Sequence, residues 1–147
     1  CHLQLGVLLH DIHLKLVSLL AAELRQLPGF GAVLESQVTA LYPHYIGHHL
    51  GLDLHDVPGT SRFKPLVAGN VITIEPGLYV PQTAQWPKHF QGIGVRVEDD
   101  VVVATEPAEI VNLSSSCVKE VADIELLIRA GTVTTPGAYD ELVVMDI

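Results

Sequence analysis

A histidine-rich run from Tyr42 to Asp56 limits what this chain can fold into more than any other stretch. Its sequence is Tyr-Pro-His-Tyr-Ile-Gly-His-His-Leu-Gly-Leu-Asp-Leu-His-Asp, with histidines at positions 44, 48, 49 and 55. A proline and two glycines interrupt the run and disfavour a helix. From Leu50 to His55 leucines alternate with other residues, which predicts a half-buried strand. Glycine beside a histidine also lets backbone and ligand approach closely.

Two acidic residues stand at the ends of apolar segments further along. Glu75 closes Val-Ile-Thr-Ile-Glu before a Pro-Gly turn, and Glu98 follows Val-Arg-Val. Burying a carboxylate without a partner is costly, and a cation offsets that cost. With His48, the two carboxylates form a ligand set of the kind that holds Mn²⁺, Zn²⁺ or Co²⁺. In the alternative interpretation, His48 is a structural histidine and a strand-end glutamate pairs with Arg96.

The length and composition limit the class of protein to which this chain can belong. At 147 residues the chain has the size of one domain and can bury a core. Its net charge of −9, from 8 basic and 17 acidic residues, argues against nucleic acid or an anionic membrane as partner. No apolar run approaches the roughly 18 residues of a membrane helix. The 48% hydrophobic content therefore indicates a core, or a surface that meets another domain.

The ends of the chain and its cysteines give two further expectations. Cys1 and Cys117 are too few for a disulfide scaffold, so we expect a reduced, intracellular compartment. The first residue is not methionine, and no basic-then-apolar signal pattern opens the sequence. We therefore expect a fragment of a longer protein.

Hydrophobic periodicity predicts three helices, over residues 8–27, 32–41 and 122–129. The first has an apolar stripe formed by Ile12, Leu16, Leu20 and Leu24 with Leu19 and Leu27 beside it, and it is expected to end before Pro28. Asp11 lies near its start, where a negative charge favours the helix. His10 and His13 have the spacing of ligands on a helix, but we predict that they lie on a solvated edge.

Strands are predicted at Val71–Ile74, at Leu78–Val80 and as one segment over Gly94–Val103, where Arg96 and Glu98 share a face. Residues 57–70 and 81–92 have the composition of loops. Residues 131–147 differ in character from what precedes them and suggest no chemistry. We predict one domain over residues 1–130 followed by an unmatched tail over 131–147, in the α+β class.

Three ordered motifs resemble those of a known family. They are His44-x-x-Gly47-His48-x-x-Gly51-x-x-x-His55-Asp56, Ile72-Thr73-Ile74-Glu75-Pro76-Gly77-Leu78-Tyr79 and Gly94-Val95-Arg96-Val97-Glu98-Asp99-Asp100. This pattern, spanning residues 8–129, resembles the aminopeptidase P branch of the pita-bread metallopeptidases, which also include prolidases and methionine aminopeptidases. The loop after Asp56 looks most like that of the mitochondrial intermediate-cleaving and Xaa-Pro aminopeptidases. The resemblance implies the C-terminal half of a pita-bread fold, a curved antiparallel sheet covered by helices.

The resemblance also implies roles. His48, Glu75 and Glu98 would be metal ligands, with Glu75 also acting as general base beside the nucleophilic water. His55 would stabilise the charge that develops on the scissile carbonyl. His44 would line the pocket for the residue after the cut, and Arg96 would hold the carboxylates. The resemblance further implies two divalent ions, Mn²⁺ with Zn²⁺ or Co²⁺ as alternatives, which would share and activate a hydroxide.

The match is incomplete in one respect. The family completes its site with two upstream aspartates and another histidine, and the only aspartate before Tyr42 is Asp11, at a helix start. We therefore expect the chain to be inactive by itself, because too few ligands remain to hold two ions and the carboxylates would repel each other. The resemblance implies that the substrates are peptide or protein N-termini. It also implies a mitochondrial location and a homodimer. The alternatives are a degenerate, non-catalytic binding or dimerisation module and a prolidase.

Overall fold

The computed structural model describes residues 5–56, 60–106 and 109–131, and within them the chain forms an α+β structure. The helices are α1 (Leu9–Leu24), α2 (Glu35–Val38) and α3 (Val121–Gly131); the strands are β1 (Val71–Ile74), β2 (Gly77–Tyr79), β3 (Gly94–Arg96), β4 (Asp99–Val102) and β5 (Val111–Asn112). The chain divides into two compact units, Cys1–Leu113 and Ser114–Ile147, and α3 belongs to the second. Most of the predicted tail lies outside the described residues. None of the described helices has the length and apolar composition that crossing a bilayer requires.

All strand pairs are antiparallel, in a three-stranded sheet of order β1-β4-β5 and a two-stranded sheet of β2 and β3. The single strand predicted over Gly94–Val103 is wrong, because it is divided between the two sheets. The division lies opposite Pro76, which has no N–H to donate to the ladder. The register is nevertheless the same on both sides, since Ile74 pairs with Asp99 and Gly77 with Arg96.

A further backbone segment, residues 46–50, runs beside the free edge of β1. The N–H groups of Thr73 and Glu75 donate to the carbonyls of His48 and Ile46, at 2.9 and 2.7 Å. The strand predicted over Leu50–His55 does not form. Leu52 is fully exposed, and the Asp56 N–H returns to the His49 carbonyl at 3.1 Å, so the chain turns back on itself.

Gly51 leaves space for the Asp56 side chain at that reversal. A Cβ at this position would lie 1.9 Å from the Oδ2 atom of Asp56, which is far inside van der Waals contact. The alternation of leucines is a misleading signal here, because the leucine side chains that follow Gly51 point to solvent.

Helix α1 joins both parts of the core. The predicted apolar stripe is confirmed, since Leu24 is buried and Ile12, Leu16 and Leu20 are partly buried against the two clusters. Val17 and Ala21 are buried as well, whereas Leu19 and Leu27, predicted beside the stripe, are exposed. The helix also ends at Leu24, before the predicted stop at Pro28–Gly29. The predicted second helix is shorter than expected, because only four residues of it are helical. The third prediction is confirmed, since α3 contains residues 122–129.

Two apolar clusters make up the core. The first is formed by Val17, Ala21, Leu24, Phe30, Val33, Val38, Leu41, Tyr42, Val80 and Trp86. The second lies between the start of α1 and the three-stranded sheet and is formed by Leu9, Ile46, Leu66, Ile72, Val101 and Val103. The loops at residues 60–70 and 81–92 are confirmed as segments without helix or strand. One face of β1 therefore packs on the second cluster and leaves the other face for polar residues.

Truncating the buried face of β1 tests this core. Ile72 is fully buried, so Ile72→Ala is expected to lower the free energy of unfolding by about 2–5 kcal/mol through lost burial and a cavity. Urea denaturation followed by the fluorescence of Trp86 measures it. The control is Leu52→Ala, at a fully exposed position, with an expected effect within about 0.5 kcal/mol. Equal effects of the two variants would contradict the described burial.

Candidate metal centre

Glu75 follows the last residue of β1, and its carboxylate is almost entirely buried, with 8% of the side chain exposed. Thr73, two residues earlier on the same face, donates its hydroxyl proton to Oε1 at 2.8 Å. From the neighbouring hairpin strand, Arg96 donates from Nη1 to Oε2 at 2.9 Å. The hydrogen bond to Glu75 raises the pKa of Arg96 above its ordinary value. Both carboxylate oxygens are therefore held by donors.

His48 brings a nitrogen to the same carboxylate. Its Nε2 atom lies 3.3 Å from Oε1 of Glu75, and its Nδ1 atom lies 2.9 Å from the carbonyl oxygen of His49. A carbonyl oxygen only accepts, so Nδ1 carries a proton, and in the neutral ring Nε2 presents its lone pair. The Nε2 lone pair and the carboxylate oxygen Oε1 would then face each other with no hydrogen atom between them. A proton or a metal cation between them would remove this conflict, and a histidine that donates its other N–H to a carbonyl is the usual arrangement of a metal ligand.

The backbone explains why these groups meet. His48 lies opposite Thr73, and its main-chain N–H donates to the Thr73 hydroxyl at 3.1 Å. Opposite residues on antiparallel segments share a face, as do residues i and i+2 on one strand, so His48, Thr73 and Glu75 all face the same side. Gly47 permits the close approach, because a Cβ there would lie 1.8 Å from the Thr73 carbonyl oxygen.

A cleft of about 240 Å³ opens over this pair. Its lining residues are His44, Tyr45, Gly47, His48, His55, Arg62, Glu75 and Arg96. The predicted residue His55 is exposed and packs edge-on against His48, with ring centroids 4.4 Å apart. The structure thus gathers five predicted site residues, His44, His48, His55, Glu75 and Arg96, around one cleft.

His44 forms a fixed wall of the cleft. Its Nδ1 atom lies 2.9 Å from the carbonyl oxygen of Tyr45, and its Nε2 atom lies 3.1 Å from the hydroxyl of Tyr79. Because Nδ1 must donate to the carbonyl, the neutral ring accepts from Tyr79 at Nε2. Its ring also packs edge-on against Tyr42, whose pKa is raised by burial. The orientation of His44 is therefore set on three sides.

Glu98 is not among the residues that line the cleft. The shared register of the hairpin places it opposite Glu75 along the backbone, beside the interruption at Pro76. Among the described residues, no group of three or more His, Cys, Asp or Glu side chains is placed to hold a metal ion. Within the part of the chain that the structure describes, His48 and Glu75 are the pair of metal-binding side chains that meet at the cleft.

Sequence reasoning missed Thr73, Tyr45 and Arg62. Thr73 could have been found, since it is the polar residue two positions before Glu75 on the same strand face. Tyr45 and Arg62 are far apart in sequence and carry no local signal of their contact. The prediction that His10 and His13 lie on a solvated edge is wrong, because both are half-buried and their rings pack against Tyr45.

Comparison with known proteins identifies the family. The sequence profile of metallopeptidase family M24 matches residues 2–105. The chain belongs to this family. Two similar curated proteins are Intermediate cleaving peptidase 55 of Saccharomyces cerevisiae, 48% identical over 86% of this chain and 24% of that protein, and rat Xaa-Pro aminopeptidase 3, 43% identical over 82% and 24%.

The fold prediction is confirmed by solved structures. Aminopeptidase P from Escherichia coli, solved with the inhibitor Pro-Leu, matches 90% of this chain and 31% of its own, with a TM-score of 0.74 and 33% identity. The architecture is thus that of the pita-bread peptidases. The M24 chain spans about a quarter of the length of the curated relatives it matches.

The buried hydrogen bonds of Thr73 provide a direct test of the site. Thr73→Val keeps the shape of the side chain but removes a donor from Glu75 and an acceptor from the His48 N–H. We expect a loss of about 1–3 kcal/mol in the free energy of unfolding, because buried polar groups lose partners. Chemical denaturation measures it. The matched control is Thr39→Val, whose exposed hydroxyl donates to the Ser36 carbonyl, with an effect within about 0.5 kcal/mol. Equal losses would show that the Thr73 bonds contribute nothing specific.

Proposed function

We propose that this chain forms part of the catalytic domain of a metal-dependent aminopeptidase that removes the first residue from peptide or protein N-termini. One observation carries the proposal: the Nε2 atom of His48 lies 3.3 Å from Oε1 of the buried Glu75 carboxylate, and both residues line the cleft. Membership of family M24 supplies the chemical class, since its members are metallopeptidases.

We assign the remaining roles from the lining of the cleft and from the backbone register. His48 and Glu75 contribute two metal ligands, and Glu75 also serves as general base. The backbone register supports Glu98 as a third ligand, because it lies opposite Glu75. Arg96 holds the Glu75 carboxylate in place through its 2.9 Å hydrogen bond.

The histidines of the cleft would act on the substrate. His55 projects beside His48, where an N–H group could stabilise the negative charge developing on the scissile carbonyl oxygen. His44, fixed by Tyr79 and by a backbone carbonyl, lines the pocket for the residue after the cut. In a Xaa-Pro aminopeptidase that residue is proline.

The chain alone is proposed to be inactive. The described donors fall short of a metal site, and the family resemblance implies that two aspartates and a histidine come from a segment preceding the matched region. The complete site would hold two divalent ions, which we propose to be Mn²⁺. A mitochondrial location is proposed because one relative, from Arabidopsis thaliana, is named Intermediate cleaving peptidase 55, mitochondrial.

A second candidate is a non-catalytic M24 domain that acts as a binding or dimerisation module. It is favoured by one observation: Arg96 already supplies positive charge to Glu75, which keeps the carboxylate stable without a metal ion. The two candidates differ in whether the residues of the cleft still support catalysis when the rest of the domain is present.

A chimaera with a relative distinguishes the peptidase from the binding module. In the yeast Intermediate cleaving peptidase 55, the segment that aligns with this chain is replaced by this chain, and release of the N-terminal residue is measured with Mn²⁺ on peptides with and without proline in second position. We expect activity from the chimaera and none from the 147-residue chain. In the chimaera, His48→Ala, Glu75→Gln and His55→Ala are each expected to lower kcat by about 100-fold or more.

The matched control is His89→Ala, which removes an exposed imidazole that packs against Phe90 and does not line the cleft. It is expected to leave kcat unchanged. A correctly folded chimaera without activity would favour the binding module. An active isolated chain would show that the ligand set is complete after all.

A further inference from the structure

Tyr45, on the wall of the cleft, has a side chain on each face of its ring. The His13 ring stacks on it with centroids 4.1 Å apart and an angle of 14° between the planes. The guanidinium carbon of Arg62 lies 3.9 Å from the centre of the same ring. An imidazole stacked at that distance covers one face, so Arg62 occupies the other. The layers therefore follow the order His13, Tyr45, Arg62, and the last two line the cleft.

Helix α1 holds Tyr45 at two points. His13 covers a ring face, and Nδ1 of His10 is hydrogen-bonded to the Tyr45 hydroxyl. Arg62, in contrast, belongs to a loop and is exposed. A guanidinium over a tyrosine face is attracted by the negative charge of the ring face. The His10 N–H donates to the Arg62 carbonyl at 3.2 Å and fixes the backbone of that loop to α1, so it is the direction of the exposed Arg62 side chain that the Tyr45 ring sets.

His13 is suited to this stack only as a neutral ring. Its Nδ1 atom is buried and has no hydrogen-bond partner among the described residues. A neutral ring can carry its proton on Nε2 and leave Nδ1 as a lone pair, whereas a protonated ring would place a charged N–H there without an acceptor. An imidazolium could also be attracted by Tyr45, but Arg62 already occupies the other face of that ring.

The groups around His13 also favour its neutral form. Burial lowers the pKa of His13 below 6.5, and His10 on the same helix, Arg62 on the loop and His44 on the cleft wall lower it further. Tyr42 also packs against the His13 ring, with centroids 5.6 Å apart. Burial raises the pKa of Tyr45, and Asp11 adds to that rise, whereas Arg62 opposes it.

We propose that Tyr45 is a positioning residue that holds Arg62 at the cleft, and that this arrangement persists only while His13 is neutral. Acidification then releases Arg62 from the cleft wall. The stabilising contribution of the neutral ring is complete above about pH 6.5, and it is lost as the pH falls through the lowered pKa of His13. Arg62 would then donate hydrogen bonds to carbonyl or carboxylate oxygens of a bound peptide. This role of Arg62 rests on the proposed function, whereas the stack of His13, Tyr45 and Arg62 does not.

NMR spectroscopy of the full chain, labelled at arginine and histidine, tests the stack without any need for catalysis. Ring currents of Tyr45 should displace the Arg62 side-chain proton signals upfield of those of the other arginines, and Arg62→Lys identifies them. In the wild type we expect the displacement to be present near pH 7.5 and lost at the acidic pH at which the His13 ring signals report its protonation. His13→Phe keeps an aromatic ring that cannot be protonated, so the displacement should remain at both pH values.

Two further variants complete the test. Tyr45→Leu should abolish the displacement at neutral pH, where the buried Trp86 reports by its fluorescence that the core is intact. His89→Phe, the same substitution on the exposed ring beside Phe90, should behave as the wild type. The proposal is overturned if Arg62 remains displaced in the wild type after the His13 ring has become protonated. It is also overturned if Tyr45→Leu keeps the displacement, or if His13→Phe loses it.

Discussion

The buried carboxylate of Glu75 is the constraint on which the rest of the site depends. A charge with 8% of its side chain exposed requires partners that replace water, and the chain supplies them from three directions. Thr73 donates from the same strand, Arg96 from the adjoining hairpin, and His48 approaches from the segment beside β1. The first two donate hydrogen bonds. The third places a ring nitrogen 3.3 Å from Oε1, where a proton or a metal cation could lie between the two atoms.

Backbone geometry creates this convergence. Gly47 allows residues 46–50 to lie against β1, because any side chain at that position would collide with the carbonyl of Thr73. Pro76 interrupts the hairpin ladder next to Glu75 while preserving its register. The interruption lies between the two paired segments of the hairpin, beside the positions of both Glu75 and Glu98. The same few residues therefore decide both the end of the sheet and the location of the site.

Much of this could be predicted from sequence, because the signals are local. An apolar segment that ends in glutamate before Pro-Gly predicts β1, and a buried strand-end glutamate requires a cationic partner, which is found in Arg96. Local signals failed where a nonlocal or backbone effect decided the outcome. Leucine alternation after Leu50 did not produce a strand, since the chain turns back and the Asp56 N–H donates to the His49 carbonyl. The contact of Tyr45 with Arg62 joins two segments whose separation no periodic pattern encodes.

We propose that this M24 chain contributes a set of ligands and cleft residues that a further acidic segment completes. The central claim is that His48 and Glu75 are metal ligands that cannot hold two ions by themselves. Isothermal titration calorimetry with Mn²⁺ tests this most directly, on the isolated chain, on the chimaera with the yeast relative and on its Glu75→Gln variant. The account predicts two tightly bound ions in the chimaera, a loss of binding in the variant and only weak binding in the isolated chain. Tight binding of two ions by the isolated chain, or unchanged binding after Glu75→Gln, would contradict it.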